Sequence, residues 1–444
     1  MKFSRQMDSL TQPDPYIKHV TTLGDMQQIV STEDILNDEG VSLVKQGTRI
    51  DSSLYERLVR HKLLRPLDDS LNVENAVTPL SLLADAKRLL ASESELERAI
   101  DESFIQRDIL TVLGTIHLEP QMAFKLTVCR EQSIDRYNHM LRVALVALYI
   151  AAHLRWSSDE RHDLATAGVF HDLGEMHLEP TLFDRSKPLT LAQRRQIYSH
   201  PTIAYLFLRE FPAYHPRISF AVHQHHERLD GSGYPKGLAG DDVMPVARLL
   251  GAAELLTVIR LEQKNSGNRL FSTAEVLKLN TERFGCETIL PLIEAAKRID
   301  KAASTTPQNS VTNKTTLQAR MRLLVEILQG AKGIDVEGDE EMAAFISNQL
   351  EGVEGMANRC GVDLNAPAEL LAIIGDDDQA VSELNALVQE MIFLVQSTAR
   401  EALRRWVKDE IPEQDQEPLT KWLRNAELAL HSAGFQSEGV TETL

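Results

Sequence analysis

Apolar side chains recur at helical spacing through most of this chain and alternate at strand spacing only near its beginning. Gln28 to Ile35 and Val41 to Lys45 flank the turn cluster Asn37-Asp-Glu-Gly40, which predicts a β-hairpin broken at Gly47. Asp51-Ser52-Ser53 then offers an N-cap to a helix carrying Leu54, Tyr55, Leu58, Val59 and Leu63 on one side. Leu82, Leu83, Ala86, Leu89 and Leu90 predict a helix over 81–100. Helices over 101–114 and 119–130 follow, then a long one from Asp135 through Ala152. More are expected over 163–173, from His200 with Pro201 at its first turn, over 216–226 and over 249–259. Two late stripes, Leu323/Leu324/Ile327/Leu328 and Leu384/Leu387/Val388/Met391/Ile392/Val395, predict a bundle core.

The pattern gives a mostly α protein with a central all-helical domain, a small N-terminal α/β module and a C-terminal helical domain. Residues 1–26 read as a loose, flexible polar arm, 27–70 as the α/β module, 71–130 as a helical connector and 131–300 as the central domain. A linker rich in Ser, Thr, Asn and Gln follows at 301–315, and 316–444 form the last domain. With 444 residues, 43% of them apolar, the chain can bury two or three cores.

Charge narrows the partners. A formal net charge of -18 excludes a broad nucleic-acid surface, so no DNA is expected, but it allows a compact anion held through metal ions. Cys129, Cys286 and Cys360 are scattered and read as buried thiols in a reducing compartment. The first residues lack an apolar leader, and the longest apolar run, Val143 to Ala152, is about half a membrane span. A cytoplasmic protein without a membrane span is expected.

Of fourteen histidines, ten fall between 139 and 226. Any one alone is better read as a cap or core residue; together with nearby carboxylates they suggest a transition-metal hydrolase site. Asp135 and His139 stand four apart, on one face of a helix. His171 and Asp172 are adjacent, so the carboxylate can bridge two ions while the imidazole binds one. His225 and His226 precede a loop made tight by Gly231 and Gly233. His223, two residues before the pair, reads as an exposed helical residue rather than as a support to the ligands, and His153, His162, His177 and His215 receive no ligand role.

His171-Asp172, His200, His225-His226 and the run Asp230-Gly-Ser-Gly-Tyr-Pro235 resemble the HD-GYP family, a branch of the HD phosphohydrolases, over about 132–258. The resemblance implies an HD-type helical domain holding two or three transition-metal ions, Fe or Mn, through Asp135, His139, His171, Asp172, His200, His225 and His226. Glu254 stands where the family usually has a ligand Asp. The implied substrate is cyclic di-GMP, or a related nucleotide, with Asp172 and Glu175 as catalytic residues and Gly233, Tyr234, Pro235 and Lys264 near the substrate. The Gly-Tyr-Pro loop is the implied docking surface for signalling proteins; the N-terminal module, which holds no cluster of ligands or nucleophiles, is expected to serve contact or regulation.

Two stretches depart from the family. Glu175 replaces a Lys, and Gln263-Lys264-Asn265-Ser266 replaces an Arg-Pro-Tyr-Arg-like run. Three readings follow: a cyclic di-GMP phosphodiesterase, an impaired relative acting as nucleotide sensor or scaffold, and a phosphohydrolase of another nucleotide. Glu175 would coordinate a metal, face solvent or silence the site.

Overall fold

The computed structural model describes residues 14–93, 103–184, 189–266, 273–303, 314–332, 340–375 and 377–407, with a few positions outside these ranges. The Asp14 side chain caps α1 (Pro15–Met26) by accepting from the Tyr16 amide. Strand β1 (Ile29–Ser31) follows, and β2 (Ile35–Leu36) pairs antiparallel with β3 (Ser42–Val44) around the predicted turn. β1 pairs instead with β4 (Leu71–Val73), a long-range partner that local alternation does not disclose. Between them lies a short α2 (Tyr55–Val59). Thr78 and Ser81 form a reciprocal cap on α3 (Pro79–Ser92), which stops short of the predicted residue 100.

The helical body continues with α4 (Ser103–Leu113), α5 (Pro120–Gln132), α6 (Ile134–His153) and α7 (Ser158–Phe170). Next come α8 (Leu191–Ile197), α9 (His200–Leu208), α10 (Pro216–Gln224), α11 (Pro245–Ser266), α12 (Thr273–Leu279), α13 (Thr281–Phe284) and α14 (Cys286–Ala303). The run Val143 to Ala151 of α6 is buried on every side, so this all-apolar stretch is the central core helix, with α7 and α11 packed against it. No helix among the described residues is long and apolar enough to cross a membrane.

The first hydrophobic core runs from Tyr16 to Ala296, and the small strands share it with the helices. A second core joins α15 (Lys314–Ala331), α16 (Glu340–Arg359) and α18 (Asp378–Trp406), with α17 (Pro367–Ile374) beside them. The chain is therefore mostly α, as the periodicity predicts, with four short strands among the described residues. The centre of the expected linker, 304–313, lies outside the described residues. The second core is joined to the first where α18 meets α12, and Asn280 donates to Glu390 at 2.7 Å. The cysteine expectation needs correction: Cys129 is buried, but Cys286 and Cys360 sit at a helix start and just past a helix end and are exposed.

Candidate metal centre

Three imidazoles are aimed by one device. His171 follows α7, His200 opens α9 and His225 follows α10. In each, Nδ1 bonds the carbonyl three residues upstream: Gly168 at 2.8 Å, Ile197 at 2.8 Å and Val222 at 2.6 Å. Bonding at Nδ1 leaves each Nε2 facing the same point, the orientation that metal-binding histidines use.

That point is the Asp172 carboxylate. Its oxygens lie 3.1 Å from His171 Nε2, 3.3 Å from His200 Nε2, 3.5 Å from His139 Nε2 and 3.7 Å from His225 Nε2. Two groups of ligand atoms result: Asp172, His200, His225 and His226, and His139, His171, Asp172 and Glu254. Asp172 belongs to both, so one carboxylate can serve two neighbouring ions.

Glycine makes the approach possible. A Cβ on Gly174 would lie 2.1 Å from the His200 carbonyl oxygen, so the turn carrying Asp172 can press against α9 only because position 174 has no side chain. A Cβ on Gly233 would likewise lie 2.3 Å from the His226 carbonyl oxygen.

The buried polar atoms fit a cation. His200 Nε2 lies 3.4 Å from His225 Nε2, and since both rings bond carbonyls through Nδ1 their lone pairs face each other there, a contact that a positive charge relieves; His226 Nε2 lies 3.2 Å from the same atom. His171 Nε2, His226 Nδ1 and both Glu254 oxygens are buried without a hydrogen-bond partner. His171 Nε2 is close to Asp172 but not directed at it, so that contact is one of charge. Imidazole nitrogens and carboxylate oxygens suit divalent transition metals, and this cluster can hold them.

Electrostatics agree. Burial works against the Asp172 charge, yet the surrounding imidazoles, His171 foremost, hold its carboxyl well below the usual range. Burial also opposes a charge on His171, but Asp172 outweighs it and raises the imidazole to about 9. Burial pushes His225 down to about 3 and His139 to about 4, leaving them neutral with a lone pair to offer. Burial, with Asp172 next, drives Glu254 well above a normal carboxyl, the mark of an anion without its counterion.

Seven of the eight expected ligands meet here; Asp135 sits exposed in the first turn of α6, outside both groups. Glu175 also lies outside them, buried, with its carboxylate 2.6 Å from Arg136 Nε. Burial removes the solvent-facing alternative for Glu175. Arg136, which sequence reading passed over, is the neighbour that neutralises it. Tyr234 is buried and stacks on His226 at 4.4 Å and on Tyr198 at 4.3 Å, so it forms a wall behind His226. Among the ligands His139 keeps the most exposure, 17% of its side chain, so the site comes nearest to solvent at His139. The Lys264 side chain lies outside the described residues. His223, expected to be exposed, is buried, bonded to Thr202 at 3.2 Å and stacked on Tyr205.

A family model described as "HD domain" matches residues 116–277. The chain is 29% identical over 126 residues to the 3'3'-cGAMP-specific phosphodiesterase 3 of Vibrio cholerae, covering 28% of this chain and 27% of that protein. It is 28% identical over 169 residues to a cyclic di-GMP phosphodiesterase of Pseudomonas aeruginosa, covering 38% and 40%. It is 29% identical over 189 residues to the cyclic di-GMP phosphodiesterase response regulator RpfG of Xanthomonas campestris pv. campestris, covering 41% and 50%. The chain thus spans between about a quarter and a half of the length of these relatives. The two ligand groups sharing Asp172 lie within residues 116–277, the stretch that matches the HD domain model.

Proposed function

We propose that this chain is a metal-dependent phosphodiesterase that opens cyclic di-GMP to pGpG or GMP in bacterial second-messenger signalling. The observation that carries the reading is the pair of ligand groups joined by Asp172. Bound there, two ions of Fe or Mn type would supply a nucleophile at neutral pH and neutralise charge building on the phosphoryl group. The chain's own residues do the rest. The upstream carbonyls lock His171, His200 and His225, Asp172 keeps its negative charge, and neutral His139 stands nearest to solvent, where a phosphodiester can approach. Free thiols in all three cysteines suit the reducing cytoplasm.

Purified protein loaded anaerobically with iron or manganese should hold about two ions per chain and convert cyclic di-GMP to linear product. His225→Ala with His226→Ala should remove most of the metal. Less than about one ion in the loaded wild type would end the reading, since intact sites of this ligand type bind such ions readily. Faster turnover of 3'3'-cGAMP than of cyclic di-GMP would move the substrate to the mixed dinucleotide. The Glu175–Arg136 pair favours one alternative, a nucleotide sensor without turnover; tight binding of intact cyclic di-GMP with no product would establish it.

A further inference from the structure

His226, the third histidine of the Asp172/His200/His225/His226 group, is aimed differently from the other two. His226 Nδ1 bonds no upstream carbonyl, so its own helix does not fix the ring. The loop after it does: the Tyr234 amide donates to the His226 carbonyl at 3.1 Å, and the Tyr234 ring lies parallel to the imidazole at 4.4 Å.

That loop is in turn gripped by the C-terminal helices. Arg405, at the end of α18, donates to the carbonyls of Gly231 at 2.5 Å and Gly233 at 3.1 Å. Arg404 donates to the Pro235 carbonyl at 3.1 Å, and Gln349 of α16 donates to the Asp230 carbonyl at 2.7 Å. Buried Glu401 holds both guanidiniums, accepting from Arg404 Nε at 2.7 Å and from Arg405 Nε at 2.5 Å. Gly237 leaves the space that the Arg405 guanidinium fills, since a Cβ there would lie 2.2 Å from it. The outward carbonyls of the Gly-Tyr-Pro loop are thus covered by this chain's own helices.

We infer that Arg404 and Arg405 are positioning residues of the metal centre, acting through the loop and Tyr234 on His226, and that the C-terminal bundle completes one of the two ion sites. The inference rests on the two-ion reading of the centre. The rings of His171, His200 and His225 are each held by a carbonyl three residues upstream, whereas His226 is held through the loop that the bundle grips. Removing the clamp therefore lowers affinity at the His200/His225/His226 site and spares the His139/His171/Glu254 site.

The test is metal titration of full-length wild type and of Arg404→Ala/Arg405→Ala, with ion counts by elemental analysis and the spin coupling of a manganese pair by electron paramagnetic resonance. The expected result is an uncoupled single ion in the variant and a second affinity weakened by about 10–100-fold, the usual cost of losing support to a ligand. Arg405→Lys, which keeps one donor, should recover part of the second ion. Arg359→Ala, which breaks another contact between the two cores (Arg359–Glu282, 3.0 Å) away from the loop, should keep both ions. Circular dichroism separates misfolding from local loosening, and Gln349→Ala offers a milder variant. Two coupled ions of unchanged affinity in the double variant, or equal loss of both sites with the fold intact, would overturn the inference. A wild type that never binds two ions would instead overturn the two-ion reading beneath it.

Discussion

The metal centre is held from two sides, and the two grips use different chemistry. On the N-terminal side the grip is a buried network of charges. Lys125 pairs with Asp68, Tyr16 donates to Asp68 at 2.7 Å, and His177, just past the Asp172 turn, bonds Asp14 at 2.9 Å and stacks on Tyr16. Lys125 also lies over the rings of Tyr16 and Phe207. On the C-terminal side the grip consists of partly exposed arginines bonded to loop carbonyls. A buried ion left without its partner is costly, whereas a carbonyl uncovered by truncating a partly exposed arginine can turn to water. The first grip should therefore show in stability and the second in the site it shapes.

Lys125→Ala tests the first half of that comparison most severely. It leaves Asp68 buried and unpaired, and a loss of about 3–5 kcal/mol in urea unfolding is expected. Cys129 reports the same event: burial pushes its thiol up to about 12, so at pH 8 it stays protonated and inert in the wild type. It should become reactive in the variant, while exposed Cys286 and Cys360 label in both. An unchanged midpoint would mean that the network is no stronger than the clamp.

Glu175 sharpens the comparison at the boundary of the site. Glu175→Gln keeps the shape but removes the charge facing Arg136, and a loss of about 1–3 kcal/mol is expected. Glu175→Lys sets two cations against each other, so it should be less stable still and should not be the faster enzyme. If Glu175→Lys instead turns an inert protein into an efficient phosphodiesterase, the natural site is a silenced one. The smallest effect belongs to the clamp: Gln349→Ala should cost about 1 kcal/mol or less in unfolding, read from the shift of the urea midpoint. A loss as large as that of Lys125→Ala would erase the distinction between the two grips.

Much of this centre was legible in sequence because its ligands come in short local patterns. His171-Asp172 and His225-His226 are adjacent pairs, and the Gly231-to-Pro235 run marks a tight loop at once. Helical periodicity likewise marks α6 and α18. What escaped depends on distance. Arg136 and Glu175 are 39 residues apart, and Arg405 reaches a carbonyl 174 residues away, separations at which no spacing rule operates. The pairing of β1 with β4 escaped for the same reason. The carbonyl bonds that lock three histidines depend on each ring lying at a helix end, where boundaries read from sequence are least certain.

His171, His200, His225 and His226 have no measurable surface, and Glu254 has almost none. Among the ligands His139 is the most exposed, so an ion seated there should exchange past His139 or through a moment of local opening. Its dwell time should then be set by how often the protein breathes, and hardly at all by how avidly a chelator competes in the bulk. Metal uptake and release by the folded protein should therefore slow together, with the rate set by the scaffold and the affinity by the ligand set.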